Sequence, residues 1–396
     1  MGYFLSYFLR NVNAVIAPDI TAAFALSGTQ IGLITSVYFL MAALVLVPVA
    51  ISLDRYGPRR VLIVQLFVTA AGCITFALGT SFAALLCGRG LIGLGVAGCL
   101  TTAFKAVTVW FPRDKWATGN SLVLGVGSLG VIAGTQPLQW VLHYVTWRDV
   151  FWLCALVSLV VVAIVVLRVP ERNAPATDAV QAPVYRDVLT MPVFWRLIPV
   201  TSVTMAVFFS IQGLWANPWL SDVAGLTQTE VGHRLLLVAL SMSAGMLLNG
   251  SLADALTGMG VPLAAVMSVG FLGLLCAVAA ITLRIAPVAW WPWALLGFTG
   301  NIGALGYTLI SRRVASNGTA RAMSMIAVAN FMIAFLIQFS MGWVLDRWGR
   351  DDFGAYPAQA YTVALATLLG LMTLTFLWFL SSREIWTSPD FQEVPE

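Results

Sequence analysis

Three basic side chains interrupt long apolar runs and are the residues best placed to do chemistry. They are Arg10, Arg89 and Lys105. A guanidinium forks onto a carboxylate or phosphate, whereas a lysine ammonium acts as a compact point charge. An ionised side chain inside an apolar span costs at least about 2.5 kcal/mol unless it is paired or faces water. The pattern therefore predicts an anion site, and Arg10 is its first candidate.

Each of these cations also has a structural interpretation. Arg10 lies about two turns inside the expected cytoplasmic end, so its side chain could instead extend to that surface. Arg89 could be part of the scaffold or contact substrate, and we favour the scaffold role. Lys105 is expected at the depth of Arg10 and could reach the surface or a central cavity. Arg89 and Lys105 are 16 positions apart, which turns a helix to nearly opposite faces, so these two cannot share one site.

Carboxylates are scarce within the apolar runs. Asp19, directly after Pro18, is the only Asp or Glu well inside one. It is our candidate for proton coupling, because such a site usually needs a buried carboxylate or histidine. Its alternative role is a solvated group near a helix end. Protons, a counter-anion or facilitated diffusion all stay open as driving forces.

Neutral polar residues could complete the site. Asn13 lies close to Arg10, and the second half contributes Gln212, Trp215, Asn301, Tyr307 and Asn330. Gln212 and Trp215 are three residues apart and are expected on one helix face. Each of these residues alone also fits a hydrogen bond between helices. Together, facing a basic first half, they would suit an amphiphilic anion with its charge toward Arg10 and its body toward Trp215.

The surrounding composition is that of a membrane protein. Of 396 residues, 60% are hydrophobic and 10% are charged, with a mean hydropathy of +0.89. A helix needs about 20 apolar residues to cross a bilayer. Twelve runs meet this need: 3–25, 30–52, 60–80, 82–110, 116–142, 149–168, 192–217, 229–252, 261–283, 287–311, 320–345 and 356–381. The sequence therefore predicts an all-α membrane protein with twelve transmembrane helices.

A repeated turn and a polar stretch divide the chain. Asp54–Arg60 follows the second run, and Gly250–Asp254 echoes it in the second half. We predict two pseudo-symmetric six-helix bundles, over 1–168 and over 192–396 with a short cytoplasmic tail, joined by a cytoplasmic linker at 169–191. Most of the 21 Lys and Arg residues fall in the even-numbered turns and at the C-terminus. The positive-inside rule then places both termini in the cytoplasm.

Residues 50–60 resemble the signature loop of the major facilitator superfamily, G-x-L-A-D-R-x-G-R-R. The matching residues are Asp54, Arg55, Gly57, Arg59 and Arg60, while Ala50 and Pro58 depart from it. The second-half copy keeps Gly250, Leu252, Ala253 and Asp254 without the arginines. Arg89 with Gly93 and Gly95, and Trp147-Arg148 with Phe151, are similar to further motifs of the family.

The resemblance implies an alternating-access secondary transporter whose partners are a small molecule and the lipid bilayer. In that family the charged turn latches the two halves on the cytoplasmic side. Asp54, Arg55, Gly57, Arg59, Arg60, Arg89 and Asp254 are therefore gating candidates. The alternative role of the turn is to anchor the loop inside the cell by its positive charge.

A narrower resemblance links span one to organophosphate and organic-anion transporters, through the aromatic residues before Arg10. That group has a span-seven arginine, whereas Val200–Asn217 contains no Lys or Arg. This disfavours a phosphate ester and leaves a smaller monoanion, or a carboxylate held by fewer charges, open. Gly130–Pro137 lacks the G-P-x-x-G-G element of drug antiporters. We expect transport of a small, anionic solute. The alternative is an exporter of neutral or cationic amphiphilic compounds.

Other function classes are disfavoured. H-E-x-x-H, G-x-S-x-G and P-loop patterns are missing from the sequence, so we expect no enzyme, and we give a transporter-like sensor little weight. The five cysteines form no C-x-x-C, which predicts neither a metal site nor a cofactor. The net charge of +4 follows from topology and does not indicate nucleic acid. A monomer in the bacterial inner membrane is the expected state.

Overall fold

The computed structural model describes residues 1–171, 189–311, 316–351 and 354–382, with side chains described there except at 113, 117 and 311–322. Nine helices in these ranges are long and apolar enough to cross a membrane. The longest, Gly28–Leu78, is divided into two crossings at Gly57, whose φ of 77° leaves the helical region. Ser27 opens this helix with a capping box to Gln30.

The first half contains six crossings. They are span one (Gly2–Phe24), spans two and three (Gly28–Leu78 on either side of Gly57), span four (Phe82–Val96 and Cys99–Trp110), span five (Trp116–Ala133 and Gln136–Val141) and span six (Trp147–Arg168). A short 3₁₀ turn, Arg113–Lys115, precedes span five. Thr146 and Asp149 form the capping box that opens span six.

The second half contains the other six. Span seven joins Pro192–Ser210, a π-helical segment Ile211–Trp215 and Ala216–Asp222. Spans eight to twelve are Gln228–Gly258, Leu263–Thr282, Trp291–Thr299 with Ile302–Ala304 and Leu305–Ser311, Ser316–Leu345 and Ala358–Leu380. The predicted all-α fold with twelve crossings is confirmed. Residues 172–188 of the predicted linker lie outside the described ranges, so the domain boundaries stay a prediction.

Spans four, five and ten are each built from separate helices, although their apolar runs are uninterrupted. Span four breaks where Gly98 has a φ of 73°. Gln65 of span three donates to the carbonyl of Ala97 and accepts a hydrogen bond from Thr102 at 3.0 Å. A carbonyl freed inside an apolar bundle must find such a partner. Gln65 therefore stabilises a break that hydropathy alone does not reveal.

Glycines allow spans three and four to approach each other closely. A Cβ atom on Gly88 of span four would lie 2.6 Å from the backbone nitrogen of Phe76 in span three. A Cβ on Gly72 of span three would lie 2.6 Å from the backbone nitrogen of Ile92. Only residues without a side chain fit at these crossings.

The bundle has two distinct ends. The basic end carries Arg55, Arg59 and Arg60. The opposite end, which we call the far end, carries Asp222 and Asp346. The two halves of the bundle are in close contact toward the far end. There the side-chain amide of Asn217 in the second half donates to the Ala14 carbonyl of the first half at 2.7 Å. Gln139 of span five likewise donates to the Gln228 carbonyl of the second half. The far end is therefore closed in this conformation.

Candidate functional site

Arg10 lies where the two halves meet. Its guanidinium carbon is 4.1 Å from the ring centroid of Tyr7 and 4.5 Å from that of Phe209 in span seven. Aromatic rings at this distance attract a cation. The Nη2 atom is buried without a hydrogen-bond partner. The side chain therefore stays inside the bundle instead of extending to the basic end, and its N–H edge can receive an anion.

Arg89 holds the backbone of the helix that carries Arg10. It is fully buried, and its Nη1 donates to the Leu9 carbonyl at 2.7 Å, while Nη2 lies 3.5 Å from the Arg10 carbonyl. Its guanidinium carbon lies 5.1 Å from the Tyr38 ring centroid. This geometry fits a scaffold that fixes where the Arg10 side chain starts.

Lys105 lies away from Arg10. It follows Arg89 by 16 residues, which is about 24 Å along a helix axis. Its Nζ forms an ion pair with Asp54 Oδ1 at 3.1 Å, at the basic end. The expectation that Lys105 and Arg10 share one depth is wrong, because Arg89, near the far end of span four, sets the level of Arg10. Sequence positions alone do not align the depths of two helices.

An aromatic seam, formed by Phe39, Phe209 and Phe331, crosses the interface between the halves beside Arg10. The ring of Phe39 in span two stacks on Phe209 of span seven at 6.0 Å and on Phe331 of span eleven at 6.2 Å. Asn13, one turn along from Arg10, donates to the Thr35 hydroxyl at 3.0 Å. Its Oδ1 is buried without a partner. The Arg10 side chain thus lies among aromatic rings and neutral amides, while the cationic Arg89 contacts its backbone.

A second polar group joins spans seven, ten and eleven. Asn330 accepts a hydrogen bond from Ser202 at 2.6 Å and donates to the Tyr307 hydroxyl at 3.0 Å. The structure therefore brings Asn330 and Tyr307 together. Sequence reasoning missed Ser202, because a single serine in an apolar helix carries no distinguishing signal. Asn301 lies apart, at the break in span ten, and its Nδ2 is buried without a partner.

Gln212 and Trp215 point to different neighbours. The Gln212 amide lies 3.3 Å from Met242 Sδ of span eight, whereas the Trp215 indole donates to the Gln338 carbonyl of span eleven at 3.4 Å. The expected shared face is wrong, because both residues lie in the π-helical segment, whose wider turn changes the angle between them. Gln338, fully buried with both amide atoms unpartnered, is a further candidate.

The charged turn binds its own half and the start of the linker in this conformation. Arg59 donates to the Val166 carbonyl at 2.9 Å, and Arg60 forms an ion pair with Glu171. Arg55 is exposed over the Tyr56 ring. Asp254 belongs to the corresponding turn of the second half and is exposed at the end of span eight. A latch between the halves stays a prediction for the opposite conformation.

Asp19 does not lie in a buried site. Its side chain is exposed, next to Pro18 inside span one. The alternative of a solvated group fits this position better than proton coupling. The described residues contain no cluster of His, Cys, Asp or Glu that could hold a metal ion.

Asp346 joins the two halves at the far end. Together with Tyr356 it forms what we call the far-end lock. Its two oxygens accept hydrogen bonds from the backbone nitrogens of Gly28 and Thr29, each at 2.7 Å, and the Tyr356 hydroxyl donates to it at 2.5 Å. Partial burial opposes its charge, but these hydrogen bonds outweigh burial and hold the pKa of Asp346 below its ordinary value. Asp222 accepts from the Tyr356 nitrogen and the Tyr361 hydroxyl at 3.1 and 2.7 Å.

The family model of the Major Facilitator Superfamily matches residues 1–338. The chain belongs to this superfamily. It is therefore an integral, multi-pass membrane protein of a transporter family, and not an enzyme. Its fold is similar to that of a bacterial homologue of the lysosomal transporter Spinster in an inward-facing conformation, with a TM-score of 0.72 over 97% of this chain and 94% of that one, at 19% identity. The nucleoside transporter NupG gives 0.77, over 96% and 97%, at 13% identity.

Three curated relatives are named for different compounds. They are a probable sulfoacetate transporter, SauU, of Cupriavidus necator (26% identical over 40% of this chain and 36% of that protein), a hexuronate transporter of Bacillus subtilis (27%, over 56% and 55%) and a chloramphenicol resistance protein of Streptomyces lividans (26%, over 61% and 62%). The alignments thus span from about a third to three fifths of the relatives' length.

Proposed function

We propose that this protein is a secondary transporter that moves a small organic anion along the interface between its halves by alternating access. The observation that carries the proposal is Arg10, a cation inside the bundle with a buried, unpartnered N–H group. A buried charged donor without a partner is costly, so a site of this kind favours an anionic ligand. Sulfoacetate and hexuronate, named for two relatives, are anions of this class.

The remaining site residues take supporting roles in this proposal. Arg10 and Asn13 receive the anionic head, and the aromatic seam and Trp215 contact the body of the solute. Gln212, Asn301, Tyr307 and Asn330 supply hydrogen bonds from the second half. Lys105 lies far from Arg10 and is not part of this proposed substrate site.

Orientation and movement complete the proposal. The basic end faces the cytoplasm of a bacterial inner membrane, in line with the positive-inside rule. The halves 1–168 and 192–396 rock about the aromatic seam, and the present conformation is inward-facing because its far end is closed. In the outward-facing state the turn Asp54–Arg60 latches the halves, while the far-end lock opens. We expect a monomer, driven by protons, by exchange or by the solute gradient.

Uptake by proteoliposomes tests the anion site. Radiolabelled sulfoacetate and glucuronate are offered to the wild type, to Arg10→Gln and to a control, Arg148→Gln. Arg148 also stacks on an aromatic ring but lies at the far end, 4.1 Å from the Trp147 centroid. Loss of a charge-assisted hydrogen bond of about 1.5–3 kcal/mol predicts a roughly 10- to 150-fold fall in uptake for Arg10→Gln. Unchanged uptake in Arg10→Gln, at equal expression, would refute the site.

An exporter of neutral amphiphilic compounds is the second candidate. The chloramphenicol resistance relative and the aromatic seam favour it. Chloramphenicol efflux from loaded vesicles separates the two functions. Efflux that persists in Arg10→Gln, without uptake of either anion by the wild type, would replace the first proposal by this one.

A further inference from the structure

An open cavity of about 300 Å³ lies at the basic end of the first half. This basic-end cavity is lined by two threonines of span four and by Leu53, Asp54, Phe104, Lys105 and Asn120. It is separate from the interface at Arg10, because Lys105 lies about 24 Å along span four from Arg89. Its volume is near the lower end of the range of small-molecule sites, about 300–1,000 Å³.

Among the residues that the structure describes, Lys105 is the cation that lines this cavity, and it is held loosely. Lys105 Nζ contacts Asp54 Oδ1 at 3.1 Å, yet the Asp54 side chain is 73% exposed and that of Lys105 only 28%. An ion pair with so exposed a partner shifts an equilibrium by only about one- to fivefold. An anion from solution that reaches the more enclosed Lys105 therefore displaces Asp54 at little cost.

The rest of the lining suits an organic anion. Leu53 and Phe104 give the cavity apolar walls against which the body of a small molecule can pack. The Oδ1 of Asn120 is buried without a hydrogen-bond partner. Rotation of that amide brings its NH₂ group to the same position, where it can donate to a carboxylate or sulfonate. These features point to a ligand with one charged head and a small apolar body.

We propose that the basic-end cavity is a second anion site, in which a small organic carboxylate or sulfonate replaces Asp54 on Lys105. Binding there releases the Asp54 carboxylate, which belongs to the charged turn. A solute arriving from this side thus frees the residue that the outward-facing latch would use. The choice of an organic anion rests on the proposed function, but the site itself rests on the cavity and the Lys105–Asp54 pair.

Calorimetric titration with benzoate tests this site. The full chain carries Arg10→Gln, which silences the central site, and is held in nanodiscs of neutral lipid. We expect one benzoate site that Lys105→Met abolishes and that Asp54→Asn strengthens about two- to fivefold, because the competing carboxylate is gone. Asp351→Asn removes an exposed carboxylate at the far end, away from the cavity, and should change nothing. Lys105→Gln replaces Lys105→Met if the latter fails to fold, as judged by thermal unfolding.

Three results would overturn the proposal. Benzoate binding that survives both Lys105 variants places the anion elsewhere, and binding weakened by Asp54→Asn shows that this carboxylate does not compete. Binding lost when phosphatidylglycerol replaces the neutral lipid shows that a lipid phosphate occupies the cavity instead. None of these results depends on uptake through Arg10, so the proposed function can fail or stand separately.

Discussion

Removal of the Asp346 charge should open the far end of the bundle. Asp346 accepts hydrogen bonds from the backbone nitrogens of Gly28 and Thr29 and from the Tyr356 hydroxyl. Gly28 and Thr29 begin span two, so the carboxylate also lies at the positive end of a helix dipole. Asparagine keeps one acceptor oxygen but turns an NH₂ group toward a backbone N–H. Asp346→Asn therefore loses one hydrogen bond and the interaction with the helix dipole. The remaining hydrogen bonds are no longer made to a charged acceptor.

The magnitude follows from these contacts. Hydrogen bonds to a charged group contribute about 1.5–3 kcal/mol, and a charge at a helix N-terminus contributes about 0.3–1 kcal/mol. Asp346 is only partly buried, and solvent screening lowers the sum to about 1–2 kcal/mol. The equilibrium between the closed and open far end should then shift about 5- to 30-fold toward open.

Distance measurement by electron paramagnetic resonance checks this shift. Spin labels at Tyr144 and Val288, both exposed at the far end, report the separation of the halves in a cysteine-free background. Asp351→Asn is the matched control, because Asp351 accepts a hydrogen bond from Ala355 of its own loop. A distance distribution that is the same for Asp346→Asn, Asp351→Asn and the parent protein would contradict the reasoning.

The same lock predicts the pH dependence of this equilibrium. The closed-state pKa of Asp346 lies below its ordinary value, so its contribution is present above the ordinary carboxylate pKa of about 3.9 and is lost as the pH falls through the lower, closed-state value. The wild-type distance distribution should therefore receive no contribution from Asp346 titration between about pH 5 and 8. A population change in that range that Asp346→Asn removes would show that the sign or the group is wrong.

Three further substitutions address the first half. Arg89→Leu should lower thermal stability and weaken anion uptake, because the carbonyls of Leu9 and Arg10 lose their donor; each buried unpaired group costs about 1–3 kcal/mol. Gln65→Leu should lower the unfolding temperature for the same reason, since the Ala97 carbonyl loses its donor at the break in span four. Gly88→Val should destabilise the protein by about 1–3 kcal/mol, because a Cβ there would meet the Phe76 backbone at 2.6 Å.

Matched variants make these outcomes decisive. Gly250→Val is the control for Gly88, because a Cβ on Gly250 meets nothing within 4 Å. Ser128→Ala is the control for Gln65 and Arg89, since its hydroxyl bonds only within its own helix, to the Gly125 carbonyl at 2.7 Å. Unfolding temperatures for Gly88→Val, Gln65→Leu or Arg89→Leu that equal those of their controls would refute the corresponding packing or hydrogen-bonding argument.

Much of the fold could be predicted because hydropathy acts on whole spans. The apolar runs and the distribution of Lys and Arg predicted the helices, their number and the expected orientation. Arg10 could be singled out for a related reason: an arginine in an apolar span is costly, so its presence alone indicates a role.

Partners across the bundle could not be predicted in this way. Asp346 and Gly28 are more than three hundred residues apart, with a separation of 318, and no local pattern links them. The π-helical segment at Gln212 and Trp215 changes their directions without leaving a signature in the sequence. Ser202 and Gln65 look like ordinary polar residues until the neighbouring helices bring a carbonyl or an amide beside them.

The sequence by itself determined that this chain crosses the membrane as helices. It also determined that Arg10 lies in an apolar span, where the free-energy cost of a charge indicates a functional or structural role. Both follow from the free energy of placing each residue in an apolar medium, which depends on composition along the chain. Only the tertiary structure decided that Arg10 lies between Tyr7 and Phe209, that Lys105 pairs with Asp54, and that Asp346 closes the far end. These outcomes depend on how helices are set in depth and rotation against one another, and packing across the bundle alone fixes that.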